Sequence, residues 1–164
     1  MKKFLWSVCA TLLILATHTK AQDLPATKIR DLNGKQISFN EAIEKGKITM
    51  VSFFAIWCIP CKQEIKNIKS KLEDWNKAVD FNYMTISVDD ARATAMVKTY
   101  AKSQGWTWPT YTDPNSDLKR SLNFQNVPFT IIIDENGKVT YQHSGYEEGG
   151  EDMLFDKIKT MAKK

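Results

Sequence analysis

The stretch Trp57-Cys58-Ile59-Pro60-Cys61 stands where one pattern of hydrophobicity gives way to another. The residues before it, 48–55, form a short apolar and β-branched run that is typical of a buried strand. After it, apolar residues recur at steps of three and four with lysines between them, which predicts an amphipathic helix of about six turns. These apolar residues are Ile65, Ile68, Leu72, Trp75 and Val79. The two cysteines are therefore expected on the first turn of a helix that follows a core strand.

The spacing of the two cysteines suits reversible disulfide chemistry. Side chains three residues apart on a helix have Cβ atoms roughly 5–6 Å apart, only a little more than a disulfide requires. Free backbone N–H groups at a helix start carry partial positive charge, which stabilises a thiolate, the form that attacks disulfides. We therefore expect Cys58 to attack and Cys61, one turn further in, to resolve the mixed disulfide. Pro60 fits the first turn because its missing N–H costs no hydrogen bond there.

Trp-Cys-x-Pro-Cys after a predicted strand resembles the thioredoxin superfamily. Glu64, three residues after Cys61, makes the chain most similar to the ResA/TlpA branch of secreted or membrane-tethered thiol-disulfide oxidoreductases. The resemblance covers about residues 24–164 and implies an α/β, thioredoxin-like fold with an N-terminal β-hairpin and a central helix-strand insertion at about 91–111. It also implies an enzyme that exchanges the dithiol or disulfide of Cys58 and Cys61 with protein substrates.

The first residues, 1–21, are typical of a secretory signal peptide. Lys2 and Lys3 precede an apolar stretch, 4–16, that is shorter than the roughly 20 residues a membrane span needs. Small residues at the end of the segment predict cleavage after Ala21, and an uncleaved membrane anchor is the alternative. We therefore expect an exported, periplasmic protein.

The chain after the leader, 22–164, is expected to fold as one thioredoxin-like domain. Removing three lysines from the 23 Lys and Arg residues leaves 20 basic against 19 acidic residues, so the formal charge falls from +4 to +1. This balance gives no reason to expect nucleic acid or an anionic membrane as partner. Cys9 leaves with the leader, and a single remaining Cys-x-x-Cys pair is too few for a disulfide-stapled scaffold.

The rest of the chain alternates strand and helix patterns, which predicts a mostly parallel sheet with helices on its faces. An Asn33-Gly34 turn signal predicts a hairpin near the start, followed by a short helix over 40–45. Further along, the patterns predict strands at 81–88, 106–111, 127–134 and 138–143, and helices at 91–104, at 116–122 and at the C-terminus.

Three residues are expected to hold the client chain. In the resembled family a proline at the position of Pro128 is cis and lies against the Cys-x-x-Cys turn. The resemblance therefore implies that Val127 and Pro128 position an extended client through main-chain hydrogen bonds. An ordinary strand-start proline is the alternative. Trp57 is expected to be exposed beside the active sulfur, where it helps to hold a substrate.

Glu64 is a candidate proton acceptor. It neighbours Cys61 on the helix, and a desolvated carboxylate there could take the proton of Cys61 as that thiol attacks the mixed disulfide. The resemblance assigns a matching glutamate that kind of role. The alternative is a solvated acid favoured by the helix dipole. Ser52 stands where thioredoxin itself has a buried aspartate, and a serine cannot serve as that base.

No cofactor or metal is expected, because structural zinc needs four ligands and the mature chain offers two cysteines and His143. By resemblance the favoured reaction is reduction of client disulfides, with apocytochrome c as a client in cytochrome c maturation and a membrane thiol relay as electron donor. We expect a monomer. A disulfide oxidase or isomerase, and a redox-inactive peptide-binding module, remain alternatives because redox poise is not readable from the sequence.

Overall fold

The computed structural model describes residues 22–163, so the predicted signal peptide, 1–21, lies outside the described residues. None of the helices described is long and apolar enough to cross a membrane. The eight strands are Gln22–Asp23 (β1), Lys28–Asp31 (β2), Gln36–Ser38 (β3), Thr49–Phe54 (β4), Asn82–Ser87 (β5), Thr110–Thr112 (β6), Phe129–Ile133 (β7) and Lys138–Ser144 (β8). The five helices are Phe39–Ala42 (α1), Ile59–Ala78 (α2), Thr94–Ser103 (α3), Asp117–Ser121 (α4) and Gly150–Ala162 (α5).

All eight strands belong to one sheet in the order β1-β8-β7-β4-β5-β6-β2-β3. Only β4 with β5 and β5 with β6 pair in parallel. The other pairs are antiparallel. The prediction of a mostly parallel sheet is therefore wrong, in part because tight turns join β2 to β3 and β7 to β8, and such turns produce antiparallel neighbours. The predicted α/β architecture, with its N-terminal hairpin and its inserted α3 and β6, is confirmed.

The sheet carries an apolar core on each face because side chains alternate along every strand. On β4, Val51 and Phe53 point to the face covered by α1 and α4. Met50 points to the opposite face, where α2 and α5 pack. There Trp75 of α2 stacks on Phe155 of α5 with their ring centroids 4.6 Å apart. The candidate site lies at the end of this second face, where β4 leads into α2.

Two predicted elements are shorter than expected. The strand predicted at 106–111 begins at Thr110, because Pro109 has no N–H to donate and contributes only its carbonyl, which accepts from Thr85 at 3.1 Å. The helix predicted over 40–45 ends at Ala42. Ile43 has extended backbone angles there and packs into the core, which carries the chain out of the helix.

The inserted helix α3 also starts later than predicted, at Thr94 rather than at 91. The carboxylate of Asp90 accepts hydrogen bonds from the backbone N–H groups of Arg92 and Ala93 at 2.9 and 3.2 Å. A side chain that caps its own following residues in this way builds a turn in place of the first helical turn.

Candidate active site

Cys58 lies at the very start of α2. It is the N-cap residue, with extended backbone angles, and the helix proper begins at Ile59. Both cysteines were expected on the first helical turn, but Cys58 lies one position before it, at the N-cap, and only Cys61 lies within it. Pro60 lies in the first turn as predicted. The backbone N–H of Cys61 donates to the Cys58 sulfur at 3.3 Å, which is the interaction that stabilises a thiolate at a helix N-terminus.

Cys58 and Cys61 form a disulfide with their Cα atoms 5.3 Å apart. Cys58 keeps 4% of its surface exposed and Cys61 keeps none. The residues flanking Cys58 are open to solvent, since Trp57 is 71% exposed and Ile59 is 78% exposed. The expected exposure of Trp57 is thus confirmed, and an incoming molecule reaches the disulfide from the side of Cys58.

The loop that connects β4 to α2 is fixed by a buried carboxylate. Asp89 accepts a hydrogen bond from the backbone N–H of Ile56 at 2.8 Å and another from the Ser87 hydroxyl at 2.7 Å. The Cys58 N–H in turn donates to the carbonyl of Ala55 at 3.0 Å. Asp89 therefore holds the chain that delivers Cys58 to the helix start. The sequence marked it only as the end of a strand, because nothing local shows that it reaches across to another loop.

Glu64 is buried beneath the disulfide, one turn along α2, with 1% of its surface exposed. The alternative of a solvated surface acid is therefore wrong. Its nearest hydrogen-bonding group is the Thr130 hydroxyl on β7, at 3.4 and 3.5 Å from the two carboxylate oxygens. Burial raises the pKa of Glu64 to about 7, the Thr130 hydroxyl lowers it and the Glu151 carboxylate raises it. A carboxyl with such a pKa can accept and release a proton near neutral pH.

The segment before β7 has the cis proline that the resemblance implies. The peptide bond between Val127 and Pro128 is cis. Val127 packs against the cluster of buried side chains that contains Cys58 and Cys61. The carbonyl of Pro128 accepts a hydrogen bond from Gly145 at 2.8 Å, which ties this segment to the end of β8. The structure thus brings Val127, the residue before Pro128, to the cluster that contains the two cysteines.

A groove of about 530 Å³ opens beside the start of α2, between that helix and α3. Ile56 and Lys62 line it on the α2 side, and Met96 and Tyr100 line it on the α3 side. The Lys62 ammonium lies over the Tyr100 ring, 5.2 Å from its centroid. Met96 is largely exposed, so the groove offers apolar surface next to Trp57.

Two residues of the site escaped the sequence analysis: Thr130 and Asp89. Thr130 lies in the strand predicted at 127–134, but only the sheet register shows that it faces Ser52. Ser52 itself is fully buried and accepts a hydrogen bond from Thr130 at 3.2 Å. Within residues 22–163, no three His, Cys, Asp or Glu side chains are arranged to hold a metal ion.

The fold and the disulfide at the start of α2 define a thiol-disulfide oxidoreductase of the thioredoxin-like class, which acts on thiols and disulfides of proteins. The model of the AhpC/TSA family matches residues 19–142, and the chain belongs to that family.

Known relatives agree with this class. Thioredoxin-like protein YneN of Bacillus subtilis is 27% identical over 129 residues, which cover 77% of this chain and 72% of that protein. Thiol-disulfide oxidoreductase ResA of the same species is 26% identical over 121 residues, covering 74% and 65% respectively. The solution structure of an uncharacterized thioredoxin-like protein from Porphyromonas gingivalis is similar with a TM-score of 0.77 and 36% identity, covering 85% of this chain and 92% of that chain. The ResA-like resemblance inferred from the motif is confirmed.

Proposed function

We propose that the mature protein is an extracytoplasmic reductant that passes electrons from a Cys58–Cys61 dithiol to disulfides of client proteins. The observation that carries the proposal is the buried Glu64 one helical turn from Cys61, with its pKa raised by burial to about 7. A buried proton acceptor beside the resolving cysteine serves the second half of such an exchange.

The exchange takes two steps. The Cys58 thiolate attacks one sulfur of the client disulfide, which breaks the client S–S bond, forms a mixed disulfide and releases one client thiolate. Glu64 then takes the proton of the Cys61 thiol, and the Cys61 thiolate attacks the Cys58 sulfur. This forms the intramolecular disulfide seen in the structure and releases the second client thiolate, which takes up a proton. The client gains two electrons and the Cys58–Cys61 pair loses two.

The client chain is proposed to lie across the surface around Cys58. Trp57 offers an exposed aromatic ring, and apolar side chains of a client that is not fully folded would cover it. Val127 packs against the cluster that contains both cysteines, and with Pro128 it would align an extended client by main-chain hydrogen bonds. The groove lined by Lys62 and Met96 continues this apolar surface toward α3.

The cellular setting is proposed from the leader and the relatives. A signal peptide over 1–21, cleaved after Ala21, would place the enzyme in the periplasm as a monomer. There it needs a dithiol donor to restore Cys58 and Cys61, and a membrane thiol relay supplies that chemistry. The resemblance to the ResA/TlpA branch implies a reducing role, with the Cys-x-x-Cys-His segment of an apocytochrome c as one client class.

Insulin reduction tests the proposal. Reduced protein of residues 22–164 should reduce insulin disulfides, and Cys58→Ser should abolish that activity. Cys61→Ser should instead accumulate a mixed disulfide, which intact mass spectrometry detects as protein plus one insulin chain. No activity in the unaltered protein would favour a redox-inactive peptide-binding module. Equal activity in Cys58→Ser would contradict the assigned nucleophile.

The reduction potential of the Cys58–Cys61 pair tests the direction of electron flow. Equilibration with glutathione or dithiothreitol buffers, followed by alkylation of free thiols, gives the potential. We expect a value close to that of thioredoxin, about −270 mV. A value close to that of DsbA, about −120 mV, would make the protein an oxidase and would overturn the reducing role.

A further inference from the structure

A row of buried hydroxyl groups crosses the sheet beneath Glu64. Ser52 on β4 is paired with Thr130 on β7 and with Thr85 on β5, so the three side chains lie on one face, the face covered by α2. All three are fully buried. The Thr130 hydroxyl donates to Ser52 at 3.2 Å and also lies within 3.5 Å of both oxygens of the Glu64 carboxyl.

Thr130 alone leaves the Glu64 carboxylate poorly hydrogen-bonded. A hydroxyl has one hydrogen to donate, and Ser52 at 3.2 Å competes for that of Thr130 with the two Glu64 oxygens at 3.4 and 3.5 Å. An ionised carboxylate can accept several hydrogen bonds, and a buried one without them is costly. When Glu64 is ionised, Thr130 can turn its hydrogen to the carboxylate only if Ser52 donates to Thr130, and Ser52 then needs a donor of its own.

The Tyr83 hydroxyl on β5 is a hydrogen-bond donor in this region that makes no hydrogen bond to any residue the structure describes. Tyr83 precedes Thr85 by two residues and so points to the same face of the sheet. The Thr85 hydroxyl is engaged with Thr110 at 2.9 Å and with Trp108 at 3.2 Å. The Tyr83 hydroxyl is buried and has no partner at hydrogen-bonding geometry among residues 22–163.

Ser52 and Glu64 are the polar neighbours of that hydroxyl. Burial raises the pKa of Tyr83 above its ordinary value, the Ser52 hydroxyl lowers it and the Glu64 carboxylate raises it. Tyr83 therefore stays protonated at neutral pH and keeps its hydrogen available for donation. Tyr83 pairs with Met50, two residues before Ser52 on β4, so the Tyr83 and Ser52 side chains are diagonal neighbours on one face of the sheet.

We propose that Tyr83, Ser52 and Thr130 form a chain of hydroxyl groups that donates hydrogen bonds toward the buried Glu64 carboxylate and positions it to accept the proton of Cys61. The inference rests on the proposed role of Glu64 as proton acceptor. When Glu64 is ionised, Tyr83 donates to Ser52, Ser52 to Thr130 and Thr130 to the carboxylate. When Glu64 holds its proton, the carboxyl donates to Thr130, and Thr130 donates to Ser52, its partner at 3.2 Å.

Other titratable groups around Glu64 act on it differently. Glu151 at the start of α5 is buried, and its negative charge opposes ionisation of Glu64. Lys71 partly compensates that charge through an ion pair with Glu151 at 2.9 Å. Cys61 precedes Glu64 by one turn on α2. Of the elements packed against Glu64, β4 and β7 contribute neutral hydroxyls, so Tyr83 on β5 is the donor that can end the chain.

The test uses oxidised protein of residues 22–164 with ¹³C-labelled glutamate, because the carboxyl resonance reports the pKa of Glu64 independently of activity. Tyr83→Phe removes the donor at the end of the chain and should raise the midpoint of the Glu64 titration by about one pH unit. Tyr141→Phe is the matched control, because the Tyr141 hydroxyl contacts Met153 far from the row and its loss should leave the midpoint unchanged. Thr130→Val should raise the midpoint, and Thr130→Ser, which keeps the hydroxyl, should restore it.

The same variants are then measured during resolution of a mixed disulfide between Cys58 and thionitrobenzoate, followed by release of that coloured thiol. At pH values below the titration midpoint of Glu64, Tyr83→Phe should release thionitrobenzoate about tenfold more slowly than Tyr141→Phe. The rate at which the mixed disulfide forms should be the same in both variants. Should Tyr83→Phe fail to fold, Ser52→Ala interrupts the same chain and is expected to give the same result.

Two failures are distinguishable. If Glu64 titrates near its ordinary value and Glu64→Gln releases the thiol at the normal rate, the proposed function of Glu64 fails. If Glu64 titrates near pH 7 and Glu64→Gln is slow, but Tyr83→Phe and Ser52→Ala match Tyr141→Phe in both measurements, the hydroxyl chain alone is refuted.

Discussion

Burial of Glu64 makes the stability of the oxidised protein depend on pH in a direction unusual for a carboxyl. The folded protein holds the Glu64 proton up to a pKa of about 7, whereas the unfolded chain releases it near the ordinary value of 4.5. Between these values the folded state binds more protons than the unfolded state, so stability falls as pH rises. The contribution is fully present below about pH 4.5 and is lost as pH rises to about 7.

Glu64→Gln is the perturbation that isolates this effect, since glutamine keeps the shape of the protonated acid and cannot ionise. The separation between 4.5 and about 7, at about 1.4 kcal/mol for each pH unit, corresponds to about 3 kcal/mol. The unaltered protein should therefore lose about 3 kcal/mol of unfolding free energy relative to Glu64→Gln across this range. Above pH 7 the difference should level off.

Urea unfolding of the two oxidised proteins, followed by circular dichroism at a series of pH values, measures the difference. Glu73→Gln is the control, because it makes the same substitution at an exposed carboxyl on the same helix. A difference between the unaltered protein and Glu64→Gln that stays constant with pH would refute the claim that Glu64 is buried with a raised pKa.

Two further substitutions probe the surroundings of the disulfide. Asp89→Ala removes the acceptor that fixes the loop before α2 and leaves its donors without a partner, which should lower the free energy of unfolding in urea by about 1–3 kcal/mol. Asp90→Ala, at an exposed turn, should lower it much less. Equal losses would count against the assigned role of Asp89. Trp57→Ala should raise the KM for insulin and leave the rate with a small disulfide such as thionitrobenzoate dimer unchanged, because only a protein client covers the exposed ring. An unchanged KM would remove Trp57 from the client surface.

The site could be predicted from the sequence wherever one segment carries the whole signal. The cysteine pair and its helix follow from the pattern around Cys58, because the strand, the cap and the apolar repeat are consecutive in the chain. Glu64 could be singled out by its spacing from Cys61. Its burial could not, because that depends on β7 and α5 closing over one turn of α2.

Other parts depend on contacts between distant segments, which a single sequence does not show. Asp89 looks like the end of a strand until β4 and β5 are placed side by side and its carboxylate meets Ile56. Tyr83 looks like an ordinary strand aromatic, and the role proposed for it depends on the register between β4 and β5. The strand at Thr110 was misplaced because aromatic residues before Pro109 have the composition of a strand without its hydrogen bonds.

The account depends most directly on the fold making Cys58 reactive. Alkylation of Cys61→Ser by iodoacetamide measures this with a single thiol in the protein of residues 22–164, folded in buffer or unfolded in urea, at the same mildly acidic pH. Because the N–H of residue 61 and the helix start stabilise the thiolate, the folded protein should react faster than the unfolded chain. A folded protein that reacts no faster than its unfolded chain would contradict the proposed exchange reaction.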